Sequence, residues 1–329
     1  MKNDPVYTGP FRDLIPRFIQ FKRSQGYDYG KTIVMRLREI DLFMQSAGVS
    51  QHVITEEMHE KWCARRNGEL PSNQAKRTSA LAVFEKWMAE QLHMTGIYVD
   101  REFKCRRFHS NFIPYIFSEA DIVAMFDVTG CECGSKVFLH NMRTLAPMLA
   151  LYYGCGLRKS EAQRLLMRDV DLETGKIRIL DSKNHVSRIV IVSNSILRRL
   201  AKYKDTSPGK RNDGDLFFHK LNGGYFGDGI IHPLFHDVMD KAGIRRPDNG
   251  RHPRIHDLRH TYAIRALEQM ERKGFDLYTS LPLLSKCMGH MHITETEYYL
   301  KLREEHFSAM LAKVETCSPK LSILNGGGQ

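Results

Sequence analysis

The chain has 329 residues, 42% of them hydrophobic and 26% charged, and its 49 Lys+Arg against 38 Asp+Glu give a formal net charge of +11. This composition excludes disordered and collagen-like classes and suits two modest domains with real cores. The chain contains no run of the ~18 to 20 apolar residues that a spanning helix needs, no apolar signal stretch at its start and no cysteine spacing of a disulfide framework, so a soluble, cytoplasmic protein without membrane association is expected.

The first hundred residues have helical periodicity in FRDLIPRFIQFKRSQG, TIVMRLREIDLFMQSAG, EEMHEKWCARRNG and NQAKRTSALAVFEKWMAEQL. Gly26, Gly48 and Gly68 act as stop signals after the first three, and Pro71 and Ser72 introduce the fourth. A four-helix bundle over residues 1–95 follows. Residues 96–115 break the period, carry Arg101, Lys104, Arg106 and Arg107, and read as a basic linker. A second domain over 116–316 opens at Ser118, whose hydroxyl pairs with the carboxylate of Asp121 as a helix cap. After further helices, KIRIL and RIVIV show β-branched alternation around the polar turn DSKNHVS, which predicts a hairpin. Helical patterns return from Ser193, broken by a Gly-rich stretch, and residues 317–329 read as a flexible tail. The expected fold class is mainly α with a small antiparallel β-sheet, a helical bundle followed by a mixed α+β domain.

Residues 1–100 hold 14 basic and 12 acidic side chains, leaving 35 and 26 for the remainder, so +9 of the net charge lies after residue 100. That balance favours a polyanionic partner. Lys76 and Arg77, near the start of the fourth helix, are candidate phosphate contacts, because their charge adds to the positive end of the helix dipole.

Four stretches carry chemistry: GCGLRKSEAQRLL at 154–166, the hairpin turn with Lys183, HDLRHTYA at 256–263 and MGHMHITETEYYLK at 288–301. In order and spacing, over roughly residues 10 to 315, they resemble the tyrosine recombinase, or phage integrase, family. The resemblance implies that Arg158 is the first catalytic arginine, Lys183 the hairpin lysine, His256 and Arg259 the H-x-x-R pair, His290 the later histidine, and Tyr299, nine residues beyond it, the nucleophile. It also implies a helical core-binding domain of SAM-like type, a catalytic domain, and a site-specific enzyme that breaks and rejoins DNA through a 3′-phosphotyrosine. Integration, excision or resolution of a mobile element or phage would be its task. The expected partners are double-stranded recombination sites, a homotetramer on DNA and accessory DNA-bending proteins, with nucleoid association when DNA is bound. In relatives an amphipathic helix such as REEHFSAMLAKVE docks on a neighbouring subunit.

The residue types have physical reasons of their own. A phosphodiester under attack gains negative charge on its equatorial oxygens, which forked guanidinium groups match. Glu161, three residues after Arg158, is placed to orient that guanidinium as a supporting residue. A phenol with a pKa near ~10 needs an acceptor, for which His256 is the candidate, and Lys183 is placed to protonate the leaving oxygen. Adjacent helical residues point about 100° apart, so Tyr298 is assigned to packing. His260, one turn after His256, is a secondary candidate. HDLRH also resembles the zinc pattern H-E-x-x-H, but Asp257 is too short for the general base and Arg259 would stand beside the metal. Because arginine and lysine already supply positive charge, no metal or cofactor is expected. The alternatives are a type IB topoisomerase-like relaxing enzyme and a non-catalytic DNA-binding protein.

Overall fold

The computed structural model describes residues 5–49, 51–100, 113–130, 133–180, 187–209 and 211–302. It divides into two compact units, Met1–Phe112 and Ile113–Gln329. Lys183, Arg101, Lys104, Arg106, Arg107, Cys131 and the REEHFSAMLAKVE segment lie outside the described residues. Among the described residues no helix is long and apolar enough to cross a membrane.

The first unit contains the four expected helices, α1 (Leu14–Ser24), α2 (Lys31–Ser46), α3 (Glu56–Cys63) and α4 (Pro71–Gln91). Their buried faces follow helical spacing: Leu14, Ile15, Phe18 and Ile19 on α1, Val34, Leu37, Ile40 and Met44 on α2, and Leu81, Phe84 and Met88 on α4. These residues and Trp62 make one core. Thr55 caps α3 by accepting from the Met58 amide at 3.3 Å, and Pro71 occupies the first turn of α4, where its missing N–H costs nothing. Ile54 pairs with Ile97 in a parallel bridge, and the Tyr98 amide donates to the Ile54 carbonyl at 2.7 Å. The beginning of the segment expected to be a linker is therefore packed into the bundle, because Ile97 is apolar and buried.

Arg77 requires a correction. It was expected to meet phosphates, but it is 3% exposed, donates to the Glu69 carboxylate at 2.9 and 2.8 Å and to the Ala64 carbonyl at 2.9 Å, and lies over the Trp62 ring. The fourth helix turns this position inward, where an arginine is tolerated only with a partner for its charge. Lys76 beside it is exposed. Arg77→Ala leaves Glu69 without its partner and is expected to destabilise the protein by about 3 kcal/mol, read from a urea titration. A variant of unchanged stability but weakened DNA binding would restore the phosphate-contact role.

In the second unit, α5 (Glu119–Thr129) begins with the expected cap: Asp121 N donates to Ser118 Oγ at 3.1 Å, and Ser118 N donates to the Asp121 carboxylate at 2.8 Å. The central helix α6 (Lys136–Cys155) packs against α5, α8 (Asn194–Thr206), α9 (Asp228–Lys241) and α10 (Ile255–Arg272). The hairpin is β2 (Lys176–Ile179) and β3 (Arg188–Ile191), antiparallel with Ile177 opposite Val190. A short strand not expected from sequence, β1 (Val170–Asp171), pairs antiparallel with β2 through Val170 opposite Ile177. Two residues are too few for an alternation signal. Ile177 and Ile179 point into the core while Lys176 and Arg178 face solvent.

Helix α10 belongs to two apolar clusters. Ile255 and Leu258 join the main core with α6, and Ala263, Ile264 and Leu267 join a second cluster with α11 (Leu277–Met288), Tyr299 and Leu302. The first turns of α10, the start of α7 (Lys159–Gln163) and the end of α11 therefore converge where the chemistry-bearing motifs of the sequence lie.

Candidate active site

At this site two helices have a left-handed glycine as the C-cap itself. Gly156 closes α6 at φ +62, and Gly289 closes α11 at φ +67. A helix C-terminus leaves carbonyls without intrahelical partners and carries the negative end of the dipole. Here guanidinium groups occupy those carbonyls. Arg188 Nε donates to Cys287 O at 2.9 Å, Arg259 Nη2 to Met288 O at 2.8 Å, and Arg158 Nη2 to Gly289 O at 2.6 Å. Arg259 Nη1 also donates to the Gly156 carbonyl, so its fork joins the ends of α6 and α11.

Glu161 stands among these cations. One oxygen accepts from Arg158 Nη1 at 3.0 Å, and the pair from Arg188 is bidentate, at 2.9 and 2.8 Å. The carboxylate also caps α7 by accepting from the Arg158 amide at 2.8 Å. Three guanidinium groups against one carboxylate leave two net positive charges in the cluster. Arg259 is 2% exposed, and its burial, then Arg158, lowers its pKa to about 10. It remains charged at neutral pH.

Helix α10 supplies both histidines. The rings of His256 and His260 meet edge to face at 4.8 Å. Burial, then His256 and neighbouring arginines, lowers His260 to about 3. Its Nδ1 is buried without a hydrogen-bond partner among the described residues. His256 is solvent-exposed, yet enclosure by the site, followed by Arg259 and Arg254, holds its pKa below the usual imidazole value; its solvent contact tempers that shift. His290 follows Gly289, accepts or donates at Nδ1 with Thr296 Oγ1 at 2.8 Å, and is lowered to about 3 by burial, then by Arg259 and Arg158. All three imidazoles are neutral at pH 7. Asp257 turns away from the histidines to Arg254 at 2.9 Å and Arg246 at 3.6 Å, so it does not act with them as the glutamate of a zinc motif would.

Tyr299, in the helical segment 294–302, is 3% exposed and stacks on His290 with ring centroids 6.2 Å apart and planes at 10°. His260 meets the same ring at 5.6 Å. Burial pushes the phenol up to about 12, with Arg259 and Arg158 opposing the shift. Tyr298 is 38% exposed, with its ring edge-on to those of His260 at 6.3 Å and Tyr299 at 5.8 Å. Arg158, Glu161, His256, Arg259, His260, His290 and Tyr299 are thus brought together, whereas Lys76 belongs to the other unit. Sequence reasoning missed Arg188 and Thr296. A signal for Arg188 existed: it shares the parity of Val190, inward on β3, and of buried Val192 just after the strand, and an inward charge needs a partner.

A buried phenol thus lies beside a net-positive guanidinium cluster and neutral imidazoles, set in a mainly helical fold. The family model of the phage integrase family matches residues 135–306, and the chain belongs to that family. It is 26% identical over 315 residues to y4rB of Sinorhizobium fredii, which carries the name integrase/recombinase, covering 93% of this chain and 97% of that protein. It is 32% identical over 180 residues to tyrosine recombinase XerC of Haemophilus ducreyi, covering 54% of this chain and 52% of XerC. In fold it is similar to XerH site-specific recombinase bound to palindromic difH substrate, with a TM-score of 0.61 and 19% identity over 92% of this chain and 84% of that one. It is also similar to a lambda integrase dimer bound to a COC′ core site, with a TM-score of 0.59 and 15% identity over 87% of this chain and 93% of that one. The protein is a tyrosine recombinase, an enzyme of site-specific recombination that cleaves and rejoins DNA.

Proposed function

We propose that Tyr299 is the nucleophile of this recombinase and that Arg158 and Arg259 clamp the scissile phosphate. The observation that carries this reading is the gathering of those guanidinium groups at the end of α11, on the chain segment that leads to Tyr299. The phenolic oxygen forms a bond to phosphorus and the bond to the 5′ oxygen breaks, giving a 3′-phosphotyrosine and a free 5′ hydroxyl. The phenolic proton passes to an imidazole, and Lys183 protonates the leaving oxygen. The phosphodiester energy is kept in the covalent link, so religation needs no nucleotide cofactor. His290 orients Tyr299 or donates to a non-bridging oxygen.

On DNA the reading extends to a homotetramer acting on double-stranded recombination sites, with accessory DNA-bending proteins and nucleoid association, in the integration, excision or resolution of a mobile element. Partner exchange between two differently labelled duplexes tests it. Exchanged products are expected; relaxation of supercoiled DNA with no exchange would instead indicate a topoisomerase.

His256 is the first candidate for the proton acceptor, and the orphaned Nδ1 of His260 supports a second reading. Because the histidines titrate below their ordinary range, the second-order rate of adduct formation is expected to stay level from pH 8 to 6 and to decline only at lower pH. His256→Asn is expected to slow the reaction by roughly 10²–10⁴-fold and His260→Asn by less than about tenfold. The reverse order assigns the proton to His260, and an acid limb near 6.5 in the wild type would contradict neutral imidazoles in the free enzyme.

A further inference from the structure

Arg188 is the one guanidinium of the cluster that the catalytic reading leaves without a task. Its side chain is 7% exposed, its Nε is held by Cys287 O at 2.9 Å, and its two Nη groups form the bidentate pair with Glu161 at 2.9 and 2.8 Å. All three of its nitrogens, Nε included, already donate to the protein. What it does touch matters more. Glu161 is the carboxylate that holds Arg158 Nη1, and Cys287 lies two residues before Gly289, whose carbonyl holds Arg158 Nη2 at 2.6 Å. Arg188 therefore shares Glu161 with Arg158 directly and holds the same carboxy-terminal turn of α11 through a different carbonyl. The chain makes room for it: a Cβ on Gly289 would stand 2.6 Å from Arg188 Nη1, so the glycine that ends α11 also leaves the space in which this guanidinium lies.

We propose that Arg188 is a positioning residue for strand cleavage, which aims Arg158 at the scissile phosphate by fixing Glu161 and the carboxy-terminal turn of α11. This inference rests on the reading of Arg158 as a phosphate clamp. With Arg188 absent, Glu161 loses its bidentate partner in a buried setting and can draw Arg158 into a closer pair, away from the α11 carbonyl and from the substrate. Lysine does not replace it, because one ammonium cannot serve both carboxylate oxygens and the Cys287 carbonyl in the planar geometry of the fork.

The test compares two synthetic duplexes carrying the site mapped from the wild-type adduct, one with the natural scissile phosphodiester and one with a methylphosphonate, in which a methyl group replaces a charged non-bridging oxygen. Removing that charge removes the demand for the guanidinium clamp. Single-turnover adduct formation at saturating DNA is measured for wild type, Arg188→Met and Arg188→Lys. Arg188→Met is expected to slow phosphodiester cleavage by roughly 10–100-fold, the usual effect of losing an outer partner, and methylphosphonate cleavage by less than about threefold. Arg188→Lys, which keeps the charge and supports folding if the methionine variant does not, is expected to lower the ratio of the two rates by at least about threefold. Equal slowing of both substrates in a folded variant, or no slowing of either, overturns the inference and makes Arg188 a staple of β3. If the wild type itself forms no adduct on DNA, the reading of the site has failed rather than this one.

Discussion

Tyr299→Phe is expected to abolish covalent adduct formation on DNA while DNA retention stays near that of the wild type, and Tyr298→Phe to form adduct within about threefold of it. The difference follows from placement. Tyr299 is 3% exposed and stacked on His290, with the His260 ring at 5.6 Å, whereas Tyr298, whose ring meets His260 at 6.3 Å, is 38% exposed. Removing the hydroxyl deletes the atom that forms the bond to phosphorus, so no slower route to the same adduct remains. The ring and its packing stay, and loss of one phenolic hydrogen bond costs about 1 kcal/mol, too little to unfold the unit. A denaturing gel of protein and labelled nicked duplex reads the result. Adduct persisting with Tyr299→Phe but lost with Tyr298→Phe would transfer the nucleophile to the neighbouring tyrosine.

The parts of this site legible in sequence are those whose spacing carries the chemistry. Arg158 and Glu161, three residues apart, lie on one helical turn, and His256, Arg259 and His260 follow the spacing that gathers them on the start of α10. The four amino-terminal helices and the β2–β3 hairpin were legible for the same reason, since apolar periodicity is a local property. Long-range partners were not. Arg77 has the same local context as an exposed helix-start cation, and only the arrival of Glu69 and Trp62 makes it a buried one. Arg188 meets Glu161 from 27 residues away and Cys287 from 99, and no local pattern encodes such pairings. The inward parity of Arg188 shows that it needs a partner without saying which.

Arg259→Lys should produce the second large loss, a fall of about 10²–10³-fold in the rate of adduct formation at saturating DNA, comparable to removing one preorganised donor from an oxyanion site. The wild-type fork is held at both ends, by the Gly156 carbonyl that closes α6 and by the Met288 carbonyl of α11 at 2.8 Å, so its orientation is set before DNA arrives. Lysine has one ammonium and cannot reach both carbonyls, which leaves a buried acceptor orphaned and costs roughly 1–3 kcal/mol of stability. At 2% exposure an ammonium is also driven toward its neutral form by desolvation and by Arg158 nearby, a change to which a guanidinium with a pKa of about 10 is immune at neutral pH. Raising the pH from 7 to 9 should therefore depress the lysine variant further while the arginine enzyme keeps its clamp charged. A lysine variant that cleaves within about tenfold of the wild type at pH 7 would show that the buried guanidinium joins two helix ends without taking part in stabilising the phosphorane.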